Sequence, residues 1–334
     1  MLFCRRLLPI LASKNNMWVY TSALRRPSLF TILFLIIGTS TSSMANRMEF
    51  SDNSYSTHKL TLNDTTTINY IDQGKGPQTL LFIHGLGSNL KAWQKNVAAL
   101  QSNFRCIALD LPNYGQSSQG TYPFTMDFFV ETIEAFITQL ELEQVVLTGH
   151  SMGAQIAMHF AVRYPTILDK LILFAPAGFE TFTPQQVAWF EQVYTADFVK
   201  TVREEQIINN FKLNFYDMPK DAQFMIDDRL EMRQDTARYD NYCEMIPQCV
   251  LSMLKEPIYE QLPNITTPTL IFYGEEDRLI PNPLLNAQLT TAAVGAAGAA
   301  QIPNAQLVMV PEAGHFVQWE GAKRVHPAIL SFLK

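Results

Sequence analysis

Between residues 79 and 174 the chain repeats one pattern. A short run of consecutive apolar residues gives way to a polar turn, and then to a longer stretch with apolar positions at helical spacing. The runs at 79–83, 105–109, 145–148 and 170–174 predict strands, and 269–273 and 306–310 continue the series. The intervening periodicity predicts helices over roughly 90–100, 125–140, 152–164, 283–291 and 318–333. Ahead of them, 58–62 and 66–71 read as a hairpin turning at Asn63-Asp64. Continuous apolar strands alternating with amphipathic helices imply an α/β fold, a mostly parallel, doubly wound sheet covered on both faces. In such sheets ligands sit beyond the carboxyl ends of the strands.

Two stretches break the alternation. Residues 179–262 have no strand pattern, several helical ones, thirteen aromatic residues and five methionines. An apolar helical insertion here would lie over the strand ends as a cap, with part of it lining a pocket. The expected organisation is therefore a core of 46–178 and 263–334 with a helical cap at 179–262. The second break, the Ala/Gly run at 291–300, reads as a flexible connection.

Residues 1–45 read as a signal peptide or leader. Arg25-Arg26 precede an apolar run at 29–37, and small polar residues lead to Ser43-Met44-Ala45, a small-x-small site before Asn46. The run is shorter than the ~20 residues a bilayer span needs. An exported protein is expected, periplasmic or secreted, tethered to a membrane only if the leader stays uncleaved. The leader carries five basic residues and no acidic one, so the rest has 20 basic against 31 acidic side chains, a net charge of −11. That balance excludes nucleic acid as a partner. Cys4 falls in the leader and Cys106 in a strand, whereas Cys243 and Cys249, six apart, could close a small disulfide loop after export. No Cys/His spacing suits a metal, and no cofactor is expected.

The candidate chemistry centres on Gly149-His150-Ser151-Met152-Gly153, a G-x-S-x-G pattern directly after a strand and opening a helix. The glycines permit a sharp turn that leaves the Ser151 hydroxyl exposed as a nucleophile, and the following helix aims its N–H groups and dipole at it. A serine nucleophile needs a base and an acid that orients the base. Of six histidines, His58, His159 and His326 read as structural, and His150 should point away from the serine hydroxyl. His84 is placed to shape a loop. His315, just after the last strand, is left as the base. The acid is expected at the end of the 269–273 strand, where Asp277 is favoured and Glu276 competes. Oxyanion donors are expected from the backbone of Met152 and, in the loop His84-Gly85-Leu86-Gly87-Ser88, of Leu86.

With those residues the chain closely resembles the α/β-hydrolase family, in its capped esterase-like branch, over nearly all of residues 55–334. The resemblance rests on His84-Gly85, the loop from Asp110 to Ser117, the turn at Ser151, Gly274 to Asp277, and Gly314-His315. It departs at Ala154, where a glycine is usual, and at Asn113, to which no role is given. The serine separates it from the haloalkane dehalogenases and epoxide hydrolases of the family, which use Asp. It implies a small-molecule carboxylic ester with an apolar acyl or aromatic group as substrate, through an acyl-enzyme. An alternative is a carbon–carbon bond hydrolase of ring-fission products, which the stretch 314–320 resembles, although Phe316 and His150 stand where that group tends to have Trp and Asn. A non-catalytic binding protein on the same fold is the third reading, and the complete triad argues against it.

Overall fold

The computed structural model describes residues 55–334, so the expected leader and Cys4 lie outside the described residues. Eight strands form one sheet in the order β1-β2-β4-β3-β5-β6-β7-β8. The hairpin β1 (Thr57–Thr61) and β2 (Thr67–Gln73) is antiparallel and pairs antiparallel with β4 (Arg105–Leu109). From β4 onward, β3 (Thr79–Ile83), β5 (Val145–His150), β6 (Leu168–Phe174), β7 (Thr269–Gly274) and β8 (Ala305–Val310) run parallel. Every residue of β3, β5 and β7 is buried, as expected of strands covered on both faces.

The crossovers are helical. A 3-10 turn at Leu90–Trp93 runs into α1 (Gln94–Leu100). Next come α2 (Met126–Gln139), capped by the Thr125 hydroxyl on Phe128 N–H, and α3 (Met152–Arg163). Trp93 packs edge-on to Phe174, which stacks on Phe272 at 4.9 Å, so β6, β7 and the first crossover share one aromatic core. Between β6 and β7 all the regular elements are helical: α4 (Pro184–Val193), α5 (Ala196–Thr201), α6 (Glu204–Leu213), α7 (Phe224–Met232) and α8 (Thr236–Lys255), with two short 3-10 turns.

Four expectations are corrected. The helix expected over 283–291 is absent from 283–290, because the Asn282 side chain takes the N–H groups of Leu284 and Leu285 in a local turn that competes with a helix. The helix lies instead in the Ala/Gly run as α9 (Thr291–Ala299), capped by Thr290. Its glycines serve close packing: a Cβ on Gly298 would sit 2.1 Å from the Phe179 ring. Cys243 and Cys249 are free and buried on α8. Six helical positions put them about 9 Å apart along the axis and on different sides of it, so no loop closes. The final helix breaks at Gly321 into α10 (Val317–Glu320) and α11 (Ala322–Phe332).

Candidate active site

Ser151 joins β5 to α3 at φ 52° and ψ −116°, a backbone conformation costly for any residue with a Cβ. The turn is held from both sides. Ser151 N–H donates to Phe174 O at 2.9 Å, and Ser151 O accepts from Ala154, Gln155 and Ala177. The glycines on each side are sterically required. A Cβ on Gly149 would lie 2.3 Å from Gly153 O, and one on Gly153 would lie 2.4 Å from Ile83 O. The strain therefore persists because β5, α3 and β3 meet backbone to backbone. Ser151 lines a cavity of about 580 Å³, and its hydroxyl makes no hydrogen bond among the described residues.

His315, in the loop after β8, lines the same cavity. Its Nδ1–H donates to Asp277 Oδ2 at 2.8 Å, which leaves Nε2 as the free ring nitrogen. The Asp277 side chain is fully buried beyond β7, and its Oδ1 accepts the N–H groups of Leu279 and Ile280 at 2.8 and 3.1 Å. Glu276, the competing acid, is exposed to solvent. Ser151, Asp277 and His315 thus come from the ends of three parallel strands. The aspartate and histidine are joined directly, and the serine shares a cavity with the histidine without a hydrogen bond between them.

The loop after β3 meets this turn closely: a Cβ on Gly85 would lie 3.1 Å from Ser151 Cβ. Buried His84 controls the loop. Its Nε2 accepts Leu111 N–H at 3.1 Å, which leaves Nδ1–H to donate to Gly85 O at 2.9 Å. Burial pushes its pKa down to about 4, so it is neutral near pH 7. A trans peptide points its C=O and N–H in opposite directions, so pinning Gly85 O aims the Leu86 N–H away from His84. Leu86 lines the cavity, and Met152 opens α3. Neither N–H has an acceptor among the described residues.

Two neighbours of His315 carry signals the sequence did not give up. His150 Nε2–H donates to His315 O at 3.0 Å, and the two rings lie 4.9 Å apart. Burial, with His315 beside it, holds His150 well below the ordinary histidine pKa. Its ring thus turns onto the histidine loop, serving His315's backbone. Glu320 accepts three backbone N–H groups, from Gly314 at 2.7 Å, Tyr216 at 3.0 Å and Asp217 at 2.9 Å. It ties the His315 loop to the turn after α6, where Phe215 stacks on Phe316 at 5.1 Å. Only the six-residue spacing from Gly314 to Glu320 could have hinted at this.

Asn113 acquires a role as well: at φ 67° it exchanges two side-chain hydrogen bonds with the Gly120 backbone, closing the loop that Asp110 begins. Asp110 is buried and accepts from Leu90 N–H, Gln116 N–H and Asn69. Burial raises its carboxyl pKa, against these hydrogen bonds. His58, His159 and His326 do not line the cavity.

A family model described as the alpha/beta hydrolase fold matches residues 78–322. Among curated proteins, the chain is 28% identical over 78% of its length to the dihydrolipoyllysine-residue acetyltransferase component of an acetoin cleaving system from Pseudomonas putida, spanning 65% of that relative. It is 26% identical, over 80% of its length and 90% of the other, to a 2-hydroxy-6-oxononadienedioate/2-hydroxy-6-oxononatrienedioate hydrolase of Paraburkholderia phymatum. An esterase structure from Exiguobacterium antarcticum superposes with a TM-score of 0.67 at 21% identity, covering 80% of this chain and 95% of that one. That likeness is one of fold.

Proposed function

The chain belongs to the α/β-hydrolase family, and we propose that it is a serine hydrolase of carboxylic esters with apolar acyl or aromatic groups. The observation that carries this reading is the His315–Asp277 pair opening onto the cavity that Ser151 lines from its strained turn. In the first half-reaction His315 Nε2 takes the Ser151 proton as Oγ bonds to the ester carbonyl carbon. The carbonyl oxygen becomes an oxyanion, held by the N–H groups of Leu86 and Met152 at the positive end of α3. Collapse breaks the bond to the alkoxy oxygen, and His315 gives its proton to the departing alcohol. Water then repeats the sequence. His315 takes a proton from it, the hydroxide adds to the acyl carbon, and Ser151 leaves reprotonated, with a carboxylic acid as second product. Asp277 holds the imidazole in the required tautomer throughout.

The helical insertion acts in this reading as the cap, since Phe198, Val199, Ile207 and Ile246 give the cavity an apolar wall suited to an acyl or aromatic group. Export of the enzyme rests on residues 1–45 alone and is part of the proposal. Incubation with a fluorophosphonate probe tests the core reading. Labelling at Ser151 with matching loss of p-nitrophenyl butyrate hydrolysis supports it, and an unlabelled, inactive protein overturns it.

A second reading, hydrolysis of a carbon–carbon bond, is favoured by one observation: the relative from Paraburkholderia phymatum is named for such a reaction and aligns over most of both chains. A dienone acid assayed beside simple esters separates the two. Cleavage of the dienone acid alone selects the second.

A further inference from the structure

Gln155 lies one helical turn after Ser151 on α3, is buried, and donates its backbone N–H to Ser151 O at 3.1 Å. Its side-chain Nε2 donates to Met253 O at 3.0 Å and to Glu256 O at 3.1 Å, at the end of α8. The last carbonyls of a helix have no partner within it. Met253 O would be served by residue 257 if α8 continued, but Pro257 has no N–H. An amide of the core therefore completes the helix with which the insertion ends. His159, one turn further along α3, adds a second donor, Nε2–H to Glu256 O at 3.1 Å. The Glu256 carboxylate in turn accepts Met126 N–H, at the start of α2, at 3.1 Å. The other stem of the insertion arrives at the same place. Ala177 N–H donates to Ser151 O at 3.2 Å. A Cβ on Gly178, at φ 93°, would lie 2.6 Å from Ile258 Cγ2 and 3.3 Å from Gln155 Cγ. Entry and exit of the insertion thus close on one side chain, a single turn from the nucleophile.

We infer that Gln155 is a positioning residue that holds the helical insertion in place over Ser151 and so sets the fit of long acyl groups. This rests on the ester-hydrolase reading above and deepens it, since it concerns acyl selectivity at the same site. α8 reaches the cavity through Tyr239, Tyr242 and Ile246. Ile246 precedes Met253 by seven residues, about 10 Å of helix. Releasing the two carbonyls from Gln155 lets that wall shift against the nucleophile. An acetyl group occupies little of a cavity of about 580 Å³ and does not depend on the wall, whereas an octanoyl chain packs against it.

The test compares p-nitrophenyl acetate with p-nitrophenyl octanoate, which share a leaving group, in the wild type, Gln155→Met and His159→Phe. Gln155→Met keeps the length of the side chain and loses both donations. The octanoate-to-acetate ratio of kcat/KM should fall by on the order of 10-fold in Gln155→Met, chiefly through KM for the octanoate, as expected when methylene contacts in a pocket are lost. His159→Phe keeps the Gln155 bonds and should lower the ratio by less. An unchanged ratio in Gln155→Met, or an equal loss on both esters, overturns the inference, because the amide would then serve folding alone. If Gln155→Met fails to fold, an unchanged ratio in His159→Phe overturns it. Hydrogen exchange of the wild type needs no variant. The last turn of α8 should exchange as slowly as α3, and exchange as fast as in α4, none of whose residues is buried, also overturns it. Fluorophosphonate labelling run in parallel separates the two layers. If Ser151 labels and the acetate turns over while the ratio stays the same in the variants, only this inference falls. If the wild type neither labels nor cleaves either ester, the ester-hydrolase reading falls and takes this inference with it.

Discussion

Asp277 Oδ2 lies 2.8 Å from His315 Nδ1, while Asp277 Oδ1 takes two backbone N–H groups of its own loop. The carboxylate is thereby fixed in orientation before it meets the imidazole, and it fixes the imidazole in turn. Asp277→Asn keeps the shape but offers the ring an N–H donor, which reverses the tautomer. It should lower kcat by about 10⁴-fold, as loss of the orienting carboxylate does in the Ser-His-Asp template. Glu276→Gln, at an exposed position, should leave kcat nearly unchanged. Steady-state kinetics on one ester checks both.

The glycine before the turn and the one after it separate steric need from chemistry. Gly153→Ala must insert a Cβ 2.4 Å from the Ile83 carbonyl, which is backbone and cannot move aside cheaply. Overpacking of this kind costs typically 1–3 kcal/mol. Urea unfolding should show that loss, and hydrolysis should fall with it because the displaced strand carries the Leu86 loop.

His84 makes stability depend on pH. Its folded pKa is about 4, against 6.5 for the free side chain, because burial disfavours the cation. Between those values the unfolded chain binds more protons, so stability rises with pH across that window. The native state keeps the full benefit above about pH 6.5 and loses it progressively down to about pH 4, below which this group adds no further slope. The amplitude is on the order of 3 kcal/mol. His150 pushes in the same direction. Unfolding free energies measured between pH 4 and 7 should fall steeply on the acid side, and His84→Gln should flatten that limb.

Glu320 offers a test of positioning at a distance. Glu320→Ala releases three backbone N–H groups from the His315 loop and the turn after α6, and should cost roughly 1–3 kcal/mol of stability. Because His315 loses its anchor, kcat should fall while the burst of acylation slows, and Glu320→Gln, which keeps an acceptor, should restore part of both. Unchanged acylation in Glu320→Ala would assign the glutamate to stability alone.

Much of this arrangement was legible before any coordinates, for a physical reason. Buried parallel strands are short apolar runs, and the turn at Ser151 needs glycines at fixed offsets, so both leave local signatures. Asp277 and His315, which the structure joins by a hydrogen bond, are marked in the sequence by where they stand relative to strand ends. Other features were hidden because the interaction that fixes them is non-local. The Ala/Gly run forms α9 because Phe179 and Tyr273 pack against its glycines, a contact that composition alone reads as looseness. Residues 283–290 fail to form a helix because one asparagine side chain captures two N–H groups. The Glu320 contacts with the turn after α6 and the carbonyl contact of His150 depend on the helical insertion or on loops far apart in sequence, and no period encodes them.

The measurement that bears most directly on the central claim is mass spectrometry of the protein quenched during turnover of a p-nitrophenyl ester. One acyl group per chain is expected, mapped to Ser151, with a matching burst of nitrophenol, both lost in Ser151→Ala. Full turnover by Ser151→Ala, or an acyl group found on another residue, would contradict it.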